Sequence, residues 1–497
     1  MMNILPFFVV VPLAAAFLIS LLGKKIKAIP DILGNLGALI LLLLSLYSIK
    51  LVNIHETLVY KIGGWVPPVG ICLVLDGLSS FMLVTVNLVT LLVTVYSINY
   101  MKRYTDKWKF YSLFMLMSAG MNGVIATGDL FNLFVFLEIA SIASYALVAF
   151  GTESEELEAA FKYAVMGSVA SSFIFMGIAF LYSFTSTLNM ADMAGVLSVK
   201  SSLWVVPFVS VLFVMGFGLK AALVPFHAWL PDAHPSAPAP ISAMLSGVFI
   251  KTLGVYALCR ILFNVLGVSG NVLNVLVILG LISMVVGAFL AIAQNDIKRM
   301  LAYSSISQIG YIIFAIGIGT PLAILGGLFH LFNHAIFKSL LFLNAGAIEY
   351  STGTRNLKKL GGLNSRLPVT GFTSLMASMS ISGIPPLGGF WSKLIIILAA
   401  IQAGYYGQAI IAVLVSILTL AYYLKFQGYA FFGKLDDAWC KVKEVPWAMR
   451  SSLIILTALS VVTGLLLVPP LRQFLDYAVN VLLLGSTYNM AVFGAIG

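Results

Sequence analysis

What this sequence lacks is charge. Only 9% of its 497 residues are Asp, Glu, Lys or Arg, whereas 61% are apolar, and the mean hydropathy is +1.04. No water-soluble domain carries that balance, which excludes soluble enzymes and soluble binding proteins. Cysteine is scarce as well. Cys72, Cys259 and Cys440 lie far apart, with no CxxC pair and no CxxCH haem-attachment motif. Cofactor motifs are also missing, so any redox centre belongs to another subunit. No basic patch with interleaved aromatics is present, so the net charge of +10 does not point to nucleic acid or an acidic substrate.

What is present is a succession of apolar runs, each long enough to cross a hydrocarbon core of about 30 Å with roughly 20 residues. The runs predict spans at 4–22, 29–49, 73–101, 109–127, 129–150 and 159–184. Further spans are predicted at 203–226, 239–263, 271–293, 297–318, 321–349, 368–403, 406–432 and 448–469. The chain thus reads as an all-α integral membrane protein of about fourteen transmembrane helices. No small-residue cleavage site precedes Lys24, so the first run reads as a retained span. The tail from Arg472 to Gly497 fits either an interfacial segment or a fifteenth span.

Positive residues gather in cytoplasmic loops. Here the odd-numbered loops hold the clusters Lys24, Lys25 and Lys27; Lys102, Arg103, Lys107 and Lys109; Lys298 and Arg299; Arg355, Lys358, Lys359 and Arg366; and Lys434, Lys441, Lys443 and Arg450, with Lys162 besides. Even-numbered loops and the tail hold only Lys50, Lys61, Lys200, Arg260 and Arg472. The bias places the N-terminus outside and makes the basic charge a topology signal.

Lys220, Lys251, Lys338, Lys393 and Lys425 fall inside predicted spans. A lysine near the bilayer centre costs roughly 2.5 to 3.5 kcal/mol on insertion scales, so such residues face a polar interior, pair, or mark an ion path. Snorkelling from a helix end is the alternative, and it suits Lys425, close to the end of its span. Most carboxylates sit in loops or at helix ends, including Asp76, Asp129, Glu349 and the cluster Glu153, Glu155, Glu156 and Glu158. Glu138 is different: it stands near the middle of FNLFVFLEIASIASYALVAF, either neutral or ionised beside a buried cation.

The run HLFNHAIFKSLLF sets His330, His334 and Lys338 four residues apart. Each four-residue step turns a helix by about 400°, so the three side chains make one slanting stripe about 12 Å long. Histidine exchanges protons near neutrality and lysine does so when deprived of water, so the stripe suits a proton relay. Metal binding by the histidine pair is the rival reading, but no carboxylate or thiolate accompanies the pair and the adjacent lysine repels a cation. Two segments break the helical pattern, each beside an interior lysine. In GFGLKAALVPFHAWLPDAHPSAPAPISAML, Lys220 is followed by Pro225, Pro231, Pro235, Pro238 and Pro240, a stretch not expected to form a regular helix. In SISGIPPLGGFWSKL, Gly383, Pro385, Pro386, Gly388 and Gly389 precede Lys393, inside an apolar region that as one helix would be about 54 Å long. Breaks in corresponding places of two halves point to an internally repeated transporter and to its ion site.

At these three motifs, taken in order, the chain resembles the antiporter-like subunits of respiratory complex I, a family that also includes the large subunits of Mrp-type cation/proton antiporters and the membrane subunits of energy-converting hydrogenases. The resemblance spans the whole chain. It implies two inverted five-helix repeats, each with one broken helix: helices four to eight at 109–263 and nine to thirteen at 271–432, flanked by helices one to three at 1–108 and by helix fourteen with the tail at 433–497. It further implies that Glu138 on the fifth helix and Lys220 on the broken seventh form an ion pair, that Lys251 is the central basic position on the eighth, that His330, His334 and Lys338 belong to the eleventh, and that Lys393 is the terminal carrier on the broken twelfth. No counterpart of the long extra C-terminal helix of the largest complex I member is expected, which argues against that one subunit and leaves the shorter types open.

The expected function is therefore that of a proton-translocating subunit of a multisubunit complex in the plasma membrane, with other membrane subunits, the lipid bilayer and protons as its partners, and no nucleic acid. The complex would be an Mrp-type Na+/H+ antiporter, an energy-converting hydrogenase or a related complex I-like oxidoreductase, with Na+ open as a coupled ion. Protons would pass from Lys220 to Lys251, along the stripe to Lys393 and out, with Glu138 as the gate. No cofactor or metal site is expected in this chain. A secondary transporter of an organic substrate would also have broken helices, but the titratable residues here form a line rather than a pocket. A purely structural anchor for a redox arm would not need interior lysines.

Overall fold

The computed structural model describes residues 4–200, 204–267 and 270–495; the expected bounds at residues 1, 203 and 497 lie outside these. Long apolar helices dominate, because within a bilayer every backbone N–H and C=O must find its partner inside the segment. In chain order they are α1 (Phe7–Leu22), α2 (Ile29–His55), α3 (Gly77–Tyr100), α4 (Lys107–Ala126), α5 (Leu130–Val148), α6 (Ser154–Thr185), α7 (Met190–Val199), α8 (Val205–Lys220) and α9 (Leu230–Ser236). Then come α10 (Ala239–Val265), α11 (Gly270–Ala293), α12 (Ile297–Ile318) and α13 (Pro321–Thr352). The last are α14 (Pro368–Ser382), α15 (Gly388–Gln402), α16 (Tyr406–Ala430), α17 (Trp447–Leu467), α18 (Gln473–Leu483) and α19 (Tyr488–Gly494). Among the described residues, 10 helices are long and apolar enough to cross a membrane. With α1, α4 and the broken pairs α8/α9 and α14/α15, the order of elements is consistent with the expected fourteen.

Side-chain oxygens cap several helix starts, where the first backbone N–H groups have no partner within the helix. Asp76 accepts from Ser79 N at 2.8 Å, Asp129 from Asn132 N at 2.7 Å and Asp296 from Arg299 N at 2.9 Å. Two of these caps expose the internal repeat. Before α5, Asp129 pairs as an isolated antiparallel bridge with Asn189, the residue that opens α7. Before α12, Asp296 pairs in the same way with Asn356, beyond the end of α13. The helices between the two aspartates, α5, α6, α8/α9, α10 and α11, make an odd number of crossings. The two bridges therefore lie at opposite membrane faces, and the repeats are inverted.

Both breaks are present. In the first, α8 stops at Lys220 and Ala222 takes a left-handed φ of +57° before α9 begins. Contrary to the reading of the proline run, residues 230–236 are helical, because Pro231 occupies the first turn, where its missing N–H costs nothing, and Pro240 likewise opens α10. In the second, α14 ends on Gly383 at φ +84° and α15 starts at Gly388. Gly389 is required by contact: a Cβ there would lie 1.9 Å from the Ser380 carbonyl oxygen, inside the other half-helix.

Two helices sit at the centre of the bundle. Every residue of α13 from Ala323 to Ile348 is buried, and α10 is buried throughout, as expected of helices that are apolar all round. α10 is also irregular, with π-helical turns at Leu245–Phe249, Lys251–Tyr256 and Arg260–Val265. The outermost helices present apolar side chains such as Leu43 and Ile142 outward, where lipid or another subunit replaces the core.

The sequence reading runs the third span from residue 73, but Cys72–Leu75 is a strand paired antiparallel with Leu58–Lys61, and α3 begins after its Asp76 cap. The signal was the turn-rich GGWVPPVG between two short β-prone runs. The tail forms no fifteenth span. Among its described residues, α18 and α19 are too short to cross, and α18 packs against α3 and α13.

Candidate functional site

The first group joins α5, α6 and the first break. Lys220 is buried at 2% exposure, its Nζ 3.8 Å from Glu138 Oε1. It also donates to Ser141 Oγ at 2.9 Å and to Tyr145 OH at 3.4 Å. Ser171 on α6 donates to the same Glu138 oxygen. Aromatic packing holds the break in place: Tyr163 stacks on Trp229 with ring centres 4.2 Å apart, and Trp229 Nε1 donates to the Leu219 carbonyl at 3.1 Å. Glu138 itself is 29% exposed at the chain's surface, so it is less enclosed than its mid-span position implies. α4 and α6 cover two sides of α5 and leave Val135 and Ile142 outward beside it.

Lys251 lies on α10, fully buried. Its ammonium donates to the carbonyls of Ser246 at 2.5 Å and Gly247 at 2.6 Å, one turn back on its own helix. A π-helical turn rearranges the backbone ladder, which is how carbonyls inside a helix come to accept from a side chain. The break after Lys220 presses on this helix: a Cβ at Gly254 would meet Ala221 Cβ at 2.5 Å. Lys251 in turn lies within electrostatic reach of His330, His334 and Lys338.

On α13, the predicted stripe is present and wholly buried. His330 uses both ring nitrogens, Nδ1 2.9 Å from Ser392 Oγ and Nε2 3.1 Å from Gln308 Oε1. The amide oxygen only accepts, so Nε2 carries a proton, and the Ser392 hydroxyl also donates to the Gly389 carbonyl at 3.1 Å. The His330 and His334 rings are 6.2 Å apart, and neither nitrogen of His334 has a hydrogen-bond partner among the described residues. Lys338 donates to Tyr423 OH at 3.4 Å, and Tyr423 and Ser304 share a hydrogen bond of 2.8 Å.

Ser392, bonded to His330, precedes Lys393 on α15. Lys393 is 3% exposed, donates to Ser416 Oγ at 3.1 Å and sits 4.9 Å above the Tyr311 ring. It lines a cavity of about 260 Å³ with Ser382, Gly383 and Ser416, open to the outside of the bundle. The residues from Lys251 to Lys393 thus form one row within the bundle, joined by electrostatic reach, ring contacts, a hydroxyl and an amide, and the Glu138–Lys220 pair stands at the break that packs against the Lys251 helix.

Two family models match this chain. "NADH:quinone oxidoreductase/Mrp antiporter, TM" covers residues 127–419, and "NADH-Ubiquinone oxidoreductase (complex I), chain 5 N-terminus" covers 65–111. The chain belongs to the NADH:quinone oxidoreductase/Mrp antiporter membrane-subunit family. It is 36% identical to an NADH-quinone oxidoreductase subunit of Desulforudis audaxviator over 493 residues, 95% of this chain and 97% of that one. It is 34% identical to a Na(+)/H(+) antiporter subunit of Alkalihalophilus pseudofirmus over 480 residues, again 95% and 97%. Its fold is similar to a chain in the Mrp complex of a Dietzia species, with a TM-score of 0.91, 28% identity and 99% of each chain covered.

The structure of this antiporter-like subunit corrects two placements from the charge census. Arg260 is no loop residue: it is 3% exposed, and its guanidinium meets Asp76 at 2.8 Å across the bundle. Lys298 is also buried, at 2%, and pairs with Glu349 at 3.0 Å. Both lie near a predicted span end, where distance along the sequence does not reveal which neighbour covers a side chain. Gln308, Ser392, Tyr311 and Tyr423 were missed for a different reason, since uncharged polar residues inside apolar runs give no signal until their partners are known. Lys425 follows the snorkelling alternative: it donates to the Ile292 carbonyl at 2.9 Å and the Gln294 carbonyl at 2.8 Å, at the C-terminal end of α11. Lys425→Ala is expected to leave proton flux in vesicles within about twofold of wild type, as substitutions away from a buried network usually do.

Proposed function

We propose that this chain conducts protons from the Glu138–Lys220 pair through Lys251 and the stripe of His330, His334 and Lys338 to Lys393 and out. The observation that carries the reading is the row of interior titratable groups on α10, α13 and α15, each within reach of the next through a side chain or a shared electrostatic contact, with the break that follows Lys220 packed against the Lys251 helix at Gly254. In this reading Glu138 is the gate. While its carboxylate stands beside Lys220 the ammonium is held; when the pair opens, the cation loses its counter-charge and its proton moves inward. The division into a first repeat at 109–263 and a second at 271–432 puts Lys220 and Lys393 at equivalent breaks.

The chain works as an integral multi-pass subunit among other membrane subunits, as its relatives and structural neighbour do. We place it in a plasma-membrane complex with its N-terminus outside, supported by the clustering of Lys and Arg in alternate loops. The complex is of the Mrp antiporter, energy-converting hydrogenase or complex I-like kind, and mass spectrometry of the co-purifying subunits distinguishes these. The function is tested by reconstituting the complex in vesicles with a trapped pH dye. Lys251→Met is expected to lower proton flux about a hundredfold, the scale on which a positioned proton-transfer group acts. Undiminished flux with the subunits still assembled rules out the path.

A further inference from the structure

From the geometry we infer that the groove between α14 and α17 seats an acyl chain of an anionic phospholipid, whose phosphate is held by Arg450. The inference stands apart from the relay proposed above. α14 packs against α17, and both helices start at the same membrane face. Glu444, three residues before α17 begins, accepts from the Val369 N–H at 2.9 Å and the Thr370 N–H at 3.2 Å in the first turn of α14. An open groove of about 670 Å³ runs between the helices, lined by Phe372 and Met376 on one side and by Ile454, Ala458 and Val462 on the other. Its two threonines offer nothing polar to a ligand, since Thr373 Oγ1 donates to Asn344 Oδ1 at 2.8 Å and Thr457 Oγ1 to the Leu453 carbonyl at 2.7 Å.

The dimensions suit an acyl chain better than a helix of a neighbouring subunit. From Pro368 to Met376, and from Ile454 to Val462, the lining extends about 12 Å at a rise of about 1.5 Å per residue. That lies within one leaflet, half of a hydrocarbon core of about 30 Å. The mean cross-section of the groove is then about 56 Å², whereas a helix about 10 Å across occupies roughly 80 Å². A slender hydrocarbon chain enters where a helix does not. In a bilayer, however, apolar packing alone does not single out one lipid among many, because every tail is equally apolar.

The selection comes from the end of the groove at the membrane face. Trp447, Arg450, Ile454, Ala458 and Val461 follow one another at steps of three or four and so share one face of α17. Side chains on a helix lean toward its N-terminus, which carries Arg450 from the groove out to the level of the headgroups. Its guanidinium lies 5.6 Å from the centre of the Trp447 ring. Its Nε is buried with no hydrogen-bond partner, and it joins no ion pair among the described residues. Trp447, exposed, is of the residue type that settles at a membrane interface. The nearby carboxylate of Glu444 is committed to the start of α14, where Thr370 Oγ1 also donates to it at 2.6 Å. The cation left unpaired is therefore Arg450, whose planar fork matches two oxygens of a phosphodiester. Arg366, exposed two residues before Pro368, adds a second positive charge at the same face. Both arginines stand where Lys and Arg cluster, and basic sites between helices at such a face draw anionic headgroups.

The test is native mass spectrometry of the whole complex, purified in mild detergent and titrated with phosphatidylglycerol or phosphatidylcholine. Phosphatidylglycerol is expected to bind at least about fivefold more tightly than phosphatidylcholine, the scale of one basic residue at a membrane surface. Arg450→Met is expected to bring phosphatidylglycerol down to the phosphatidylcholine level, whereas Arg450→Lys keeps part of the preference, because the charge remains without the fork. Ala458→Trp fills the groove from its exposed side and is expected to remove one tightly held phosphatidylglycerol with every subunit still present. It carries the test should the Arg450 variants fail to assemble. Equal affinity for the two lipids, undiminished phosphatidylglycerol affinity in assembled R450M, or an unchanged lipid count in A458W overturns the proposal. Loss of a subunit from A458W overturns it as well, since the groove then belongs to a protein neighbour.

Discussion

Glu138→Gln abolishes coupled proton flux while the complex still assembles. The amide has the size and shape of the carboxylate, and its oxygen still accepts from Ser171, so packing between α5 and α6 survives. What disappears is the charge 3.8 Å from Lys220 Nζ. At that separation two unit charges attract by about 4 kcal/mol in a medium with an effective dielectric of about 20. Lys220 retains only the hydroxyls of Ser141 and Tyr145, neither of which carries charge. With no counter-charge to approach and withdraw, the gate has a single state, and flux falls at least about a hundredfold. Flux at the wild-type level in pH-dye vesicles would refute the gate. Glu138→Asp is the informative companion: it retains the charge on a shorter arm and is expected to keep a measurable fraction of the flux.

The second large effect is expected at the other end. Lys393→Ala blocks exit, again by about a hundredfold or more, because it empties the position between His330 with its Ser392 partner and the cavity lined by Ser382 and Ser416. Lys393→Arg is the sharper variant. It preserves the positive charge and the cation–π position over Tyr311, but a guanidinium is effectively always protonated and gives up no proton. If Lys393 carries protons, K393R is as inactive as K393A. If it supplies only a fixed charge, K393R conducts and K393A does not, and the carrier role is lost. Lys425→Ala serves as the control, since its ammonium is committed to the carbonyls at the end of α11.

Several parts of this site were legible in one dimension. The spacing of His330, His334 and Lys338 is a statement about a helix, and a helix repeats wherever it is placed. Proline and glycine announced both breaks because they act on the backbone locally, at Pro225 and at Gly383. The proline run was over-read, however: the same residue that breaks a helix interior opens a helix at its first turn, as Pro231 and Pro240 do.

Composition and order therefore determined that this is a membrane protein, how its spans succeed one another, where two of them break and which charged side chains are set within them. Those properties follow from hydrophobicity, helix periodicity and the backbone limits of proline and glycine, all of which act over a few residues. Tertiary structure decided which charges face inward and to whom they speak. Arg260 finds Asp76, 184 positions away in sequence, Lys298 finds Glu349, and Lys425 turns to a helix end. Burial within a bundle depends on which face of each helix its neighbours cover, and no local rule along the chain contains that information.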